Sequence, residues 1–107
     1  DLAKYALNYR KGACYHFASL NLYLLNRLGF QALIAEGQCT TVRGGWTTHY
    51  WNMVVYEGQW YHFDPMLEQA YAPYDTFLKC DKAIYNRSSK WKKEDLPESG
   101  AESVNWR

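Results

Sequence analysis

The chain is poor in the features that would settle its class at a glance. Its 107 residues include three prolines and seven glycines, with no Gly/Ser-rich linker, low-complexity tract or internal repeat. One domain is therefore expected over residues 1–107. Charge of neither sign is in excess: twelve Lys and Arg face eleven Asp and Glu, for a formal net charge of +1. That balance gives nucleic acid, an anionic membrane or an acidic partner no electrostatic handle, and no nucleic-acid partner is expected. No run approaches the roughly 18 apolar residues of a membrane span, and the opening DLAKYALNYR lacks the layout of a signal peptide. No membrane contact is expected of this stretch. Because it starts without Met and inside a helical pattern, it reads as a domain cut from a longer chain. Metal-ligand spacing is missing too. Cys14, His16, Cys39, His49, His62 and Cys80 form no Cys-x-x-Cys or His-x-x-x-His arrangement, so no metal is expected.

Aromatic residues are what the chain has in quantity. Five Trp, ten Tyr and four Phe exceed what a small core needs, so some rings are expected to line a cleft or surface. Three cysteines allow at most one pair and leave one thiol over. Leu2, Tyr5, Ala6 and Tyr9 make a short helical stripe that RKG is expected to end at Gly12. A longer helix then runs from Cys14 through Phe17, Leu20, Leu24, Leu25 and Leu28 to a left-handed stop at Gly29. FQALIAEGQ reads as a buried strand ended by Gly37, and TTVRGGW as a loop. THYWNMVVYEGQWYHFDP alternates as a hairpin, with Glu57 and Gly58 as its turn. Past Pro65 the order weakens: a strand or helical turn near Phe77 to Cys80, an exposed KWKKEDLPESG, and an otherwise irregular tail. Helix, strand, hairpin and tail in that order predict an α+β fold, one main helix packed on an antiparallel sheet.

A free thiol is only a few per cent thiolate at neutral pH, so a working cysteine needs a neighbour that favours the anion. A helix start supplies one, because its unpaired N–H groups attract negative charge and can hold an oxyanion. Cys14 is expected there, with Gly12 admitting a substrate backbone. An imidazole must then share the proton, and a third group must orient it. With Glu57 and Gly58 as a two-residue turn, position i faces 115 minus i, which sets Trp51 opposite Asp64 and His49 diagonally beside it. His49 and Asp64 can then bond across the hairpin, and a slip of one residue would move Asp64 to the other face. His62 shares that face and is kept as a neighbour of the site. Trp51, beside His49, can screen it from water. His16 points elsewhere, two residues or about 200° round a helix from Cys14. Asp75 and Asp81 read as ordinary loop carboxylates. Cys39 and Cys80 read as buried thiols, or as a disulfide in an oxidising compartment.

Three motifs together resemble a known family. They are the Gly-x-Cys-x-x-x-Ala of Gly12, Cys14 and Ala18, the His-x-Trp-Asn of His49, Trp51 and Asn52, and the Gly-x-Trp-x-x-x-Asp-Pro of Gly58, Trp60, Asp64 and Pro65. Across Arg10 to Leu67 they resemble the transglutaminase-like core, with the tail similar to that of bacterial members. The resemblance implies a papain-like cysteine-protease fold and a Cys-His-Asp thiol acyltransferase or hydrolase, with Cys14 as nucleophile, His49 as general base and acid, and Asp64 as orienting carboxylate. The aromatic-rich surface suits an extended groove, so a peptide or protein amide substrate is expected, with a thioester intermediate and no cofactor, and the resemblance further implies an extracellular or cell-surface setting. In this fold a side chain upstream of the cysteine commonly adds an oxyanion donor, and Asn8 and Tyr9 are the nearest here. Gly12 and Trp51 complete the expected substrate-side residues. The competing class is a binding or structural module of a larger surface protein that keeps the fold and loses turnover.

Overall fold

The computed structural model describes residues 2–40, 44–64 and 77–104, with the side chains of the first helix described from Cys14 onward. That helix, α1, spans Leu2–Arg27 without a break. The expected interruption at Gly12 is not there. A glycine costs only about 1 kcal/mol relative to alanine inside a helix, too little to end one by itself. Gly29, at φ +91°, is the left-handed stop the sequence announces.

Strands β1 (Ala32–Thr40), β2 (Trp46–Tyr56), β3 (Gln59–Phe63), β4 (Phe77–Lys79) and β5 (Ser89–Lys90) form one sheet in the order β4-β3-β2-β1-β5. Every pairing in it is antiparallel. A one-turn helix α2 (Asp81–Ile84) joins β4 to β5, and a 3-10 turn follows at Lys93–Asp95. The α+β expectation is met. The tail departs from its reading as irregular: β4 and β5 give the sheet both its edges, and within KWKKEDLPESG the Trp91 ring is buried in the core while Lys92–Asp95 stay exposed. Of the expected loop TTVRGGW, residues 41–43 lie outside the described set, Thr40 ends β1 and Trp46 opens β2.

The hairpin is the element the sequence specifies most tightly. Glu57 and Gly58 have φ of +51° and +79°, the pair of left-handed residues of a type I′ turn, whose twist matches that of the strands. Tyr56 pairs with Gln59 and Asn52 with Phe63, the register that a two-residue turn dictates. Gly37, expected to end β1, lies inside it. A Cβ there would come within 2.6 Å of the Trp51 ring and 2.4 Å of the Lys90 carbonyl oxygen, so the glycine serves close approach rather than termination.

Alternation along the strands divides the core in two. Ala35, Trp51 and Met53 pack with Ile84 and Trp91 from the C-terminal segment. Val54, Tyr61 and Leu78 pack on the other side, with Leu25 of α1 against them. The sheet is thus covered by α1 on one face and by the chain after β4 on the other. Asn52 fixes α1 in place: its Nδ2 donates to the Ala18 carbonyl at 2.9 Å and to the Leu33 carbonyl at 3.2 Å, tying β2 to the helix and to β1. The remaining helix face leaves Leu20, Tyr23, Leu24 and Leu28 exposed.

Candidate active site

Two strands of the hairpin bring His49 and Asp64 together. Each is only 4% exposed, and the His49 Nε2–H donates to Asp64 Oδ2 at 2.7 Å. Asp64 stands one position beyond the last residue of β3, where the two-residue turn places it diagonal to His49. Cys14, on α1, lies near enough for its sulfur to act on the His49 ring. Burial alone would lower the imidazole's pKa. The hydrogen bond to Asp64 and the nearby Cys14, with the charges of both, overcome it and raise the pKa from 6.5 to about 9. An imidazole so held favours its protonated form, which is the state that stabilises a neighbouring thiolate.

Cys14 reaches this pair from a position the sequence did not lead one to expect. It is half-buried and lies near the middle of α1 instead of in a first turn. Its amide belongs to the helix's own i to i−4 ladder, so the free N–H groups and dipole of a helix start do not act on the sulfur in this conformation. Gly12 is helical backbone. The side chains of Asn8 and Tyr9, the expected upstream donors, lie outside the described residues, as do Pro65 and Asp75.

A shallow depression beside Cys14 and Asp64 is bordered by Phe17, Asn21, Tyr50 and Phe63. Part of the aromatic surplus is accounted for there. Two buried amide atoms, Asn21 Nδ2 and Asn52 Oδ1, have no hydrogen-bond partner.

Behind His49 lies a second histidine–carboxylate pair. Trp51 stacks on the His49 ring with centroids 5.8 Å apart and planes 19° from parallel. Its indole Nε1–H donates to His62 Nδ1 at 3.0 Å, and His62 Nε2 meets Asp81 Oδ1 at 2.7 Å. An indole nitrogen only donates, so His62 Nδ1 must accept and its proton must sit on Nε2, facing the carboxylate. Asp81 is thus not an ordinary loop carboxylate. Burial would raise its pKa, but the hydrogen bonds from His62 and Ser99 lower it below the usual value. Trp51 is 2% exposed, enclosed by His49, His62 and Trp91. Its ring stacks on His49, and Trp51 also borders the depression beside Cys14. The missed partner Asp81 left one sequence signal: a buried Trp on the face of His62 requires an acceptor, and His62 in turn a second partner.

The remaining thiols are both free, and both are buried. Cys39, in β1, is close enough to Asp64 and Cys14 to feel both charges; with burial as the largest cause, its pKa is pushed up to about 12. Cys80 follows β4 and accepts a hydrogen bond from the Ser103 hydroxyl at 3.3 Å. The sheet order sets β2 and β3 between them, so the disulfide considered from the sequence is not formed. Among the described residues no three His, Cys, Asp or Glu side chains group as metal ligands.

A helix carrying a thiol, packed on an antiparallel sheet whose hairpin offers a histidine and a carboxylate, defines a domain of the cysteine-dependent acyltransferase and protease class. The family model of the transglutaminase-like superfamily matches residues 1–65, more than half of the chain, and the chain belongs to that superfamily. The matched stretch contains Cys14, His49 and Asp64, and ends before Asp81. Neither the curated proteins nor the solved structures give a significant match.

Proposed function

We propose that the chain is a thiol acyl-transfer enzyme acting on peptide or protein amides, with Cys14 as nucleophile, His49 as base and acid, and Asp64 as orienting carboxylate. The observation that carries this reading is the His49 ring, held on one nitrogen by buried Asp64 at 2.7 Å with the Cys14 sulfur close enough to act on it. The Cys14 proton passes to His49, and the thiolate sulfur bonds the amide carbonyl carbon. His49 then returns the proton to the departing amine as the C–N bond breaks, leaving a thioester. Water, deprotonated by His49, cleaves that thioester in a hydrolase; an amine such as a lysine side chain does so in a cross-linker. The family supports this general chemistry, and the acceptor is read from experiment.

The test follows iodoacetamide labelling of each cysteine by mass spectrometry across pH. Burial alone slows Cys39 and Cys80, so the diagnostic comparison is Cys14 with and without His49. Labelling of Cys14 at pH 7 is expected to fall at least tenfold in His49→Ala; an unchanged rate sinks the enzyme reading. A glutamine-bearing peptide with a labelled amine then separates transamidation from hydrolysis. One observation favours the second reading, a module of this fold that has lost turnover: α1 runs unbroken through Cys14, which ties up the amides that would hold an oxyanion. That reading predicts His49-dependent labelling of Cys14 with no release of product from any amide.

A further inference from the structure

We propose that Asp81 and His62 are positioning residues that act through Trp51 to hold the His49 ring in the plane needed for proton exchange with Cys14. The inference rests on the proposed roles of Cys14 and His49 and extends the site beyond the stretch the family model matches.

Two contacts hold His49: the Asp64 hydrogen bond at one edge and the Trp51 indole on its face. A single bond from a carboxylate leaves an imidazole free to swing about that axis. The indole removes this freedom only if it cannot turn itself, and three things stop it. The far edge of the ring is laid against Gly37, where even a Cβ would come within 2.6 Å. Trp91 packs against it at 6.0 Å between centroids and 64° between planes. The Nε1–H is pinned to His62 Nδ1.

The last of these depends on Asp81. A neutral imidazole can carry its proton on either nitrogen, and the Nδ1–H form would set two N–H donors against each other. Asp81 Oδ1, 2.7 Å from Nε2, selects the Nε2–H form and so keeps Nδ1 an acceptor for Trp51. Asp81 is in turn fixed at the start of α2: its Oδ2 accepts the Ser99 N–H at 3.2 Å, and its own N–H donates to Ser99 Oγ at 2.7 Å. His62 is wholly buried and Asp81 partly exposed, so the relay runs from the surface to the site. The groups that bear directly on His49 are Asp64 beyond β3 and Cys14 on α1, with Cys39 on β1 near both. Asp81 touches none of them, so its influence has to pass through the two rings.

The experiment uses the full 107-residue chain with ¹⁵N-labelled histidine. Its three histidines are assigned by single substitutions, and the His49 titration is read beside the Cys14 labelling rate. Asp81→Ala is expected to lower the His49 midpoint by at least about half a pH unit and to slow Cys14 labelling at pH 7 three- to tenfold. Asp81→Asn, which keeps the acceptor oxygen but not the charge, is expected to restore both to within twofold of the native protein. An Ala variant matching the native protein overturns the relay. So does an Asn variant as impaired as Ala, since the effect would then be one of charge. If Asp81→Ala does not fold, the native spectrum decides: His62 must show the Nε2–H tautomer, and an Nδ1–H tautomer refutes the proposal. Should Cys14 prove insensitive to His49, the proposed function fails, and the His49 midpoint still reports on the relay.

Discussion

Replacing Gly37 with alanine puts a methyl carbon 2.4 Å from the Lys90 carbonyl oxygen and 2.6 Å from Cη2 of Trp51. Neither neighbour yields easily. The first is backbone of β5, paired with β1 through Gln38 and Lys90. The second is a ring bonded to His62 and packed on Trp91. Overpacking of this kind costs about 1–3 kcal/mol, and with a backbone atom as the closest contact the upper figure applies, about 3 kcal/mol. In a small domain of ordinary stability, about 5–15 kcal/mol, that lowers the melting temperature by roughly 10–20 °C. Urea unfolding followed by tryptophan fluorescence measures it, with the slope unchanged and the midpoint reduced. Gly37 also faces His49 directly in the ladder, so a displaced Trp51 should reduce His49-dependent labelling of Cys14 in the population that remains folded. A loss of less than about 0.5 kcal/mol would mean that β5 and the indole do not enclose Gly37 in solution, and the account of Trp51 as a clamped surface would fall with it.

The raised pKa of His49 makes stability depend on pH. Its folded value of about 9 lies above the ordinary 6.5, so its contribution is fully present below pH 6.5 and is lost as pH rises through 9, by at most about 3 kcal/mol. Urea-derived stability of the native protein should therefore decline relative to His49→Gln between those limits, and a constant difference would contradict the assignment. Asn52→Ala removes both bonds that tie β2 to α1 and β1 and is expected to cost about 2 kcal/mol, moderated by the loss of the unpaired Oδ1. A variant as stable as the native protein in urea would show that helix docking does not depend on this side chain.

The parts of the fold legible in the sequence are those set by local chemistry. Glu57 and Gly58 fix a turn, the turn fixes a register, and the register places Asp64 beside His49 although fifteen residues separate them. Gly29 marks a helix end for the same local reason. What the sequence hid depended on more distant partners. Gly12 reads as a break, yet one glycine's propensity cost is too small to end a helix by itself. Gly37 reads as a strand end because its reason for being glycine, the indole of Trp51, lies on another strand. With two and three residues, β5 and β4 are too short to show a period of two. Trp91 sits among lysines that point outward while it points in. Asp81 has the composition of a loop until His62 is folded against it.

The lengths of those outer strands have a further consequence. A sheet margin exposes unpaired N–H and C=O groups that invite another chain to add on, and the risk grows with the length of the margin. Here the long strands β1 and β2, nine and eleven residues, lie inside, and three and two residues stand at the borders. Lys79 and Lys90 end those borders with positive charge, the side chain most hostile to an incoming strand. The border strands cover β1 only at Gln38 and Cys39 and β3 only at His62 and Phe63, and truncating the chain after the hairpin would remove even that cover and favour edge-to-edge association.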